Sequence, residues 1–216
     1  MTIDGVIFDN DGTLVDSERV ASGLLHELLL ERGIDLGQVE VLRRFRGVKF
    51  ANFVAELCVE HPHLEGERFM HEFRAQSLEV FRNGLAAMPG ALEFVRDLQL
   101  PTCVASNGPR NKIETTLQAA GLLAFFEGRI VSAYEVESWK PEPGLILAAA
   151  ELLGLAPQRC LLVEDSIAGV SAGLAAGTHV AGYGEFDFSQ FEGLPNFYRV
   201  EDYTALGELL QRLNAA

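Results

Sequence analysis

Cysteine is scarce in this chain, which has three cysteines in 216 residues. Cys58, Cys103 and Cys160 are odd in number, and their spacings match no metal-binding pair. The pattern therefore argues against a disulfide framework and against a structural zinc site. Two of the three lie in apolar, strand-like runs, which is typical of buried, reduced thiols, and we expect a cytoplasmic protein.

Positive charge is also in short supply. Seventeen lysines and arginines face 31 aspartates and glutamates, so the net charge is −14 at pH 7. Nucleic-acid binders need a basic face, and an acidic surface repels anionic lipid. We therefore predict no nucleic-acid partner and no membrane partner. A small phosphorylated molecule can still bind where cations are gathered locally.

Long hydrophobic runs are missing as well. No apolar run approaches the ~18 residues of a membrane span, and the first residues lack the basic start of a signal peptide. We expect neither feature. With 48% hydrophobic and 22% charged residues, the composition is that of a globular protein with a real core. The length suits one domain with a smaller insertion, and we expect a monomer.

A pair of aspartates follows the first apolar run. Residues 6–8 are predicted to end a buried strand, and Gly12 with Thr13 indicates a sharp turn after it. Asp9 and Asp11 are two apart, so on an extended chain they point the same way, beyond the strand's carboxyl end. Desolvating unpartnered carboxylates is costly, which favours catalysis or metal binding. A solvated turn needs only one such acid, and a helix–loop–helix calcium loop has its glycine sixth, not fourth.

The rest of the chain shows two different patterns of apolar residues. Apolar stripes at helical spacing over 20–29, 50–57 and 69–81 predict helices throughout 17–86. From residue 88, apolar runs alternate with helical stretches, which predicts a doubly wound, parallel α/β sheet. The predicted strands are 3–8, 102–105, 129–132, 160–163 and 178–181. We expect a Rossmann-like core domain of residues 1–16 and 87–216, with a helical domain of residues 17–86 inserted into it.

Polar residues follow several of the predicted strands. Ser106 and Asn107 are open to two interpretations, a helix cap or a phosphate site at a helix N-terminus. Glu164 and Asp165 exceed what capping requires, and Lys140 lies between a strand and a helix. Lys140 is a surface lysine or, beside these acids, a cation for an anionic substrate.

The predicted crevice would hold up to four carboxylates. Each pair repels by about 4 kcal/mol at 4 Å with an effective dielectric of 20. A hard divalent cation with oxygen ligands resolves this repulsion, and Mg²⁺ is the usual choice beside phosphate.

The chain resembles the haloacid dehalogenase superfamily of phosphohydrolases, because it has four motifs of that superfamily in the same order. They are residues 9–14, 106–108, 140–141 and 164–166. The resemblance covers essentially the whole chain and is to the subgroup with a helical cap inserted after the first motif. It implies that the domain of residues 17–86 is that cap. Asn10 departs from the apolar or cysteine residue common between the two aspartates.

The resemblance implies a role for each motif residue. Asp9 would be the nucleophile that forms an aspartyl-phosphate, and Asp11 the acid that protonates the leaving oxygen and then activates water. Ser106, Asn107 and Lys140 would hold the transferring phosphoryl group. The ligands of Mg²⁺ would be Asp9, the backbone carbonyl of Asp11, Asp165, and Glu164 directly or through water.

A short basic segment in the cap is the candidate for substrate specificity. Arg46, Gly47 and Lys49 lie between two predicted helices of an otherwise acidic chain. One interpretation is a solvated helix junction. The other is that these residues meet a second anion of the substrate, such as the carboxylate of a phosphorylated sugar acid.

Three other functions use similar residues. Phosphomutases of this subgroup carry a cap-hinge histidine where this chain has Ala21, which disfavours a mutase. Haloacid dehalogenases lack the second aspartate of the first motif, so Asp11 argues against one. Receiver-type signalling domains also use aspartate and lysine, but no helical insertion interrupts them. We therefore predict a phosphoric monoester hydrolase with a small phosphorylated substrate.

Overall fold

Six strands form one parallel sheet in the computed structural model, which describes residues 2–45, 48 and 50–215. The order across the sheet is β3-β2-β1-β4-β5-β6, and all neighbours are parallel. Chain order reverses beside β1, where doubly wound sheets bind ligands beyond the carboxyl ends of their strands. The predicted fold class is confirmed. The strands are β1 (Gly5–Phe8), β2 (Thr102–Ser106), β3 (Ile130–Ser132), β4 (Cys160–Glu164), β5 (His179–Tyr183) and β6 (Phe197–Val200).

Hydrophobic residues cover both faces of the sheet. Every residue of β1, β2, β4 and β5 is buried, which is why these strands read as continuous apolar runs rather than alternating ones. Side chains alternate between the two faces: Val6 and Phe8 join one hydrophobic cluster, and Ile7 joins the other. The sheet is therefore a rigid base for side chains at its carboxyl edge.

Helices account for most of the remaining chain. Between β1 and β2 lie α1 (Ser17–Leu30), α2 (Gln38–Phe45), α3 (Phe50–Glu60), α4 (Gly66–Gly84) and α5 (Ala91–Asp97). The later helices are α6 (Arg110–Ala119), α7 (Ala133–Val136), α8 (Gly144–Leu152), α9 (Ile167–Ala176) and α10 (Tyr203–Ala215), with single 3₁₀ turns at Leu123–Phe126, Pro157–Arg159 and Ser189–Phe191. Among the described residues, no helix combines the length and the hydropathy needed to cross a bilayer.

The two connections that flank α1–α4 run side by side. Val15 forms an antiparallel bridge with Ala87, and the Asp16 amide donates to the Ala86 carbonyl at 3.1 Å. The helical segment therefore leaves and rejoins the sheet at one place, next to the aspartate motif. The division into a core domain and a cap domain at residues 16/17 and 86/87 stays a prediction.

The sequence-based strands agree with the structure within two residues at either end, with one omission. The omission is β6, whose Tyr198 and Arg199 are partly exposed at the edge of the sheet. A four-residue edge strand with polar neighbours lacks the buried apolar run that identified the others. Helix α2 lies within the segment 17–86 that was predicted to be helical, but no apolar stripe marked it in the sequence, since Val41 is its one buried residue.

Candidate active site

The ends of β1, β2 and β4 bring the predicted site residues to one edge of the sheet. Phe8 pairs in register with Val104 on one side and Val163 on the other. Asp9 therefore follows β1 between Ser106 at the end of β2 and Glu164 at the end of β4. The Asp9 amide donates to the Val163 carbonyl at 2.9 Å, which holds the start of the aspartate loop against β4.

The aspartate loop turns sharply at Gly12, as predicted. Gly12 has a φ of +78°, a conformation that favours glycine. A Cβ at this position would also lie 2.1 Å from Oδ2 of Asp165, so a side chain here would displace that carboxylate. The Thr13 hydroxyl donates to Oδ1 of Asp165 at 3.4 Å. The turn thus brings the first and last acidic motifs into contact.

Lys140 lies between two of the carboxylates. Its Nζ is 2.5 Å from Oδ1 of Asp9 and 2.6 Å from Oε2 of Glu164, and the side chain is buried. Burial by itself lowers the pKa of Lys140, but the attraction of Asp9 and then of Glu164 outweighs it, so the pKa is raised. Lys140 is therefore a fixed positive charge at the centre of the site rather than a surface lysine.

The pKa of Asp9 is also raised by this environment, which disfavours its ionised form. Burial, followed by the repulsion of Glu164, raises the pKa of Asp9 from an ordinary value of 3.8 to about 7, although Lys140 opposes the shift. In the absence of a further cation, the site thus contains more negative charge than Lys140 alone balances.

Three carboxylates are grouped closely enough to hold a metal ion. Asp9, Glu164 and Asp165 each offer an oxygen, these oxygens lie within 4.8 Å of one another, and all three residues are buried. Glu164 is oriented by Ser166, whose amide and hydroxyl donate to Oε1 at 3.0 and 2.8 Å. A buried set of oxygen donors with excess negative charge fits a hard divalent cation such as Mg²⁺.

The side chain of Asp11 is not part of this group. Its Oδ1 accepts a hydrogen bond from the Ser17 hydroxyl at 2.5 Å, and its carboxylate pairs with Nζ of Lys112 at 2.9 Å. Burial by itself would raise the pKa of Asp11. The charge of Lys112 and the hydrogen bonds from Ser17 and Lys112 outweigh this effect, so the net result is a lowered pKa. The two aspartates therefore sit in contrasting environments: that of Asp11 favours its ionised form, and that of Asp9, without a further cation, favours its protonated form.

Sequence reasoning did not find Lys112. It lies in the first turn of α6, and no spacing rule connects it with Asp11, because the contact depends on how α6 packs beside the aspartate loop. The one sign in the sequence that a second cation could lie near the site was a lysine soon after the Ser106 motif.

Ser106 and Asn107 follow β2 at the same edge, but Asn107 does not cap α6. The N-cap residue of α6 is Pro109, and the Ser106 hydroxyl accepts from the Gly108 amide at 3.1 Å. Oδ1 of Asn107 accepts from the Lys140 amide at 2.9 Å, and its Nδ2 donates to the Lys140 carbonyl at 3.3 Å. The helix-cap interpretation of Asn107 was wrong, because its side chain holds the backbone of Lys140 instead.

The predicted specificity residues cannot be placed. Arg46, Gly47 and Lys49 lie outside the described residues, between α2 and α3. Their role stays a prediction.

Comparison with known proteins identifies the class to which this fold and site belong. The sequence model of the haloacid dehalogenase-like hydrolases matches residues 3–177, and the chain belongs to that family. The resemblance carried by the four motifs is thereby confirmed.

Individual relatives within this hydrolase family are phosphatases. The 6-phosphogluconate phosphatase of Escherichia coli K12 is 37% identical over 179 residues, which are 82% of this chain and 81% of that protein. Hexitol phosphatase A of the same organism is 36% identical over 193 residues, 83% of this chain and 82% of that protein. A crystal structure of a family hydrolase from Deinococcus radiodurans R1, with bound phosphate and sodium, is 29% identical. It superposes with a TM-score of 0.83 over 98% of this chain and 96% of that chain. The chain is a phosphoric monoester hydrolase.

Proposed function

We propose that this chain is a Mg²⁺-dependent phosphatase that hydrolyses a small phosphorylated metabolite through an aspartyl-phosphate on Asp9. The substrate class is a sugar phosphate or a phosphorylated sugar acid such as 6-phosphogluconate. One observation carries the proposal: a buried carboxylate at the switch point of the sheet lies 2.5 Å from a buried ammonium and beside two more carboxylates. The names of two relatives, 6-phosphogluconate phosphatase and hexitol phosphatase, support the substrate class.

In the first step, a carboxylate oxygen of Asp9 attacks phosphorus, and the bond from phosphorus to the leaving oxygen breaks. Asp11 gives its proton to that oxygen, so the sugar leaves as a neutral hydroxyl. Lys140 provides a preorganised charge for the phosphoryl oxygens, and Asn107 fixes the backbone of Lys140. The Ser106 hydroxyl also contacts the phosphoryl group.

In the second step, the carboxylate of Asp11 takes a proton from water as that water attacks the phosphorus of the acyl-phosphate. The bond between phosphorus and the Asp9 oxygen breaks, inorganic phosphate leaves, and both aspartates return to their starting states. The hydrogen bonds that Asp11 accepts from Ser17 and Lys112 stabilise the ionised form that this step needs.

Asp9, Glu164 and Asp165 are the side chains that would hold Mg²⁺, together with the backbone carbonyl of Asp11. When bound, the ion supplies Lewis-acid stabilisation of negative charge on the phosphoryl group. In the cap, Arg46 and Lys49 would recognise the end of the substrate away from the phosphate.

Phosphate release from a panel of phosphorylated metabolites tests the function directly. The panel contains 6-phosphogluconate, hexitol phosphates, other sugar phosphates and para-nitrophenyl phosphate. We expect Mg²⁺-dependent turnover, stopped by EDTA and restored by added Mg²⁺. Turnover that persists undiminished in EDTA would contradict the metal requirement. Phosphoryl transfer to another sugar hydroxyl would support a mutase instead, and a stable, stoichiometric acyl-phosphate would support a receiver domain.

Gly169→Ala tests how the metal ligand Glu164 is held. A Cβ at position 169 would lie 1.8 Å from Oε2 of Glu164, so the glutamate must move away from Ser166 and Lys140. Disturbing the groups that orient a ligand typically costs 10–100-fold in metal affinity, and we expect the Mg²⁺ concentration for half-maximal activity to rise by roughly that factor. Mg²⁺ titrations of activity and of thermal stability measure it.

Gly207→Ala is the matched control, because it makes the same change within a helix, α10. A Cβ there would make an ordinary contact, 3.7 Å from Phe94. This variant should keep the Mg²⁺ dependence of the parent. If Gly169→Ala also keeps it, then Glu164 does not need its present position to hold the ion.

A further inference from the structure

The carboxylate of Asp11 is held by a cation that the four motifs do not contain. Nζ of Lys112 lies 2.9 Å from the carboxylate oxygens of Asp11, while the Ser17 hydroxyl donates to Oδ1 at 2.5 Å. Because Nζ of Lys112 is equally near both oxygens, Oδ1 can accept from both donors, and Oδ2 can carry the proton that the proposed first step needs. The side chains of Lys112 and Asp11 are 30% and 24% exposed, so the pair is only partly accessible to solvent.

Lys112 is itself held between two helices. It belongs to the first turn of α6, and its ammonium lies 5.8 Å from the centre of the Phe81 ring of α4. Phe81 is buried where α4 packs against α6. The face of an aromatic ring attracts a cation, and partial desolvation strengthens that attraction. The ammonium thus has a defined place between α6 and the inserted helical segment.

A second contact ties the same loop to the same helix. Nδ2 of Asn10 donates to the Thr116 hydroxyl at 3.0 Å, and Thr116 in turn donates to the Ile113 carbonyl of α6. Asn10 lies between the two aspartates. Helix α6 therefore fixes the loop at Asn10 and at Asp11, and the first of these contacts uses the residue that departs from the family pattern.

From this arrangement we propose that Lys112 is a positioning residue that orients the carboxyl group of Asp11 toward the leaving oxygen of the substrate. The inference rests on the proposed function, in which Asp11 gives its proton to that oxygen as the phosphorus–oxygen bond breaks and its electron pair passes to oxygen. Without Lys112, Ser17 would restrain one oxygen of Asp11, and the carboxyl group could rotate away from its partner. A small misplacement of a proton donor slows the step it serves.

Lys112→Met tests the orientation, because methionine keeps the length of the side chain and removes the ammonium. On 6-phosphogluconate we expect kcat to fall at least about tenfold, part of the ~10²–10⁴-fold that general acid catalysis supplies, with KM nearly unchanged. On para-nitrophenyl phosphate, whose leaving group needs no proton, kcat should fall by less than about threefold. Lys112→Arg, which keeps a cation, should recover most of the loss.

Arg82→Met is the matched control. It removes one exposed cation next to Phe81 in α4, with the same change in net charge and no loss of a contact to Asp11. We expect parental kinetics on both substrates. Adding Lys112→Met to Asp11→Asn should cause little further loss on 6-phosphogluconate, because both changes remove the same assistance.

Several outcomes would overturn the inference. Equal losses of kcat on the two substrates, or a rise in KM with kcat unchanged, would show that Lys112 does not act through Asp11. Parental kinetics of Lys112→Met, with Asp9→Asn inactive, would remove Lys112 from the reaction and leave the proposed function intact. No turnover of any panel substrate by the parent would instead refute the proposed function. If Lys112→Met does not fold, Lys112→Gln replaces it under the same criteria.

Discussion

Asp9→Asn is expected to abolish phosphate release, with kcat falling by at least about 10⁴-fold on every substrate. A neutral amide is a poor nucleophile and cannot form the acyl-phosphate, and it is also a weaker ligand for Mg²⁺. Steady-state kinetics with saturating Mg²⁺ measure the loss, and acid quenching of the parent should trap the phosphorylated enzyme that the variant lacks. Activity within tenfold of the parent would refute the assignment of Asp9 as the nucleophile.

The same variant should not lose stability, which separates a catalytic defect from a folding defect. Burial and Glu164 raise the pKa of Asp9 from 3.8 to about 7, so ionised Asp9 is disfavoured in the folded, metal-free protein. This penalty begins as the pH rises above 3.8 and is complete above about 7, because the unfolded chain then ionises more readily than the folded one. Asparagine carries no charge and avoids it.

Thermal unfolding in EDTA above pH 7 measures this effect. Tm of Asp9→Asn should equal or exceed that of the parent, while Nζ of Lys140 keeps its contact with Glu164. A clearly lower Tm would mean that loss of activity reflects damage to the fold.

Asp11→Asn is expected to lower kcat by about 10²–10⁴-fold on a sugar phosphate, the usual contribution of a general acid. A sugar hydroxyl is a poor leaving group unless it receives a proton, whereas para-nitrophenolate leaves without one. The defect should therefore be much smaller for para-nitrophenyl phosphate. Comparison of kcat on the two substrates measures it.

Asp97→Asn is the control for this prediction. It removes one exposed carboxylate at the end of α5, before β2 begins, and so at the opposite edge of the sheet from the site. It should leave both activities unchanged. Equal defects of Asp11→Asn on both substrates would show that Asp11 is not the acid.

The sequence by itself determined the fold class and the place of the site. Apolar runs such as 102–105 and 160–163 alternate with helical stretches, and that alternation has one common solution, a parallel sheet covered on both faces. In such a sheet, the residues that follow the strands meet at one edge, so Asp9, Ser106 and Glu164 could be placed together before any coordinates. The short edge strand β6 was not predicted, because Tyr198 and Arg199 interrupt its apolar run.

The tertiary structure decided the contacts that act on the motif residues. Lys112 reaches Asp11, and Asn107 holds Lys140, across long stretches of sequence that no local pattern connects. These pairs depend on how α4, α6 and the loop before α8 pack around the carboxyl edge, and such packing is a property of side-chain shape rather than of periodicity. Gly169 is similar: its position in α9 is readable from the sequence, but the carboxylate of Glu164 lying against it is not.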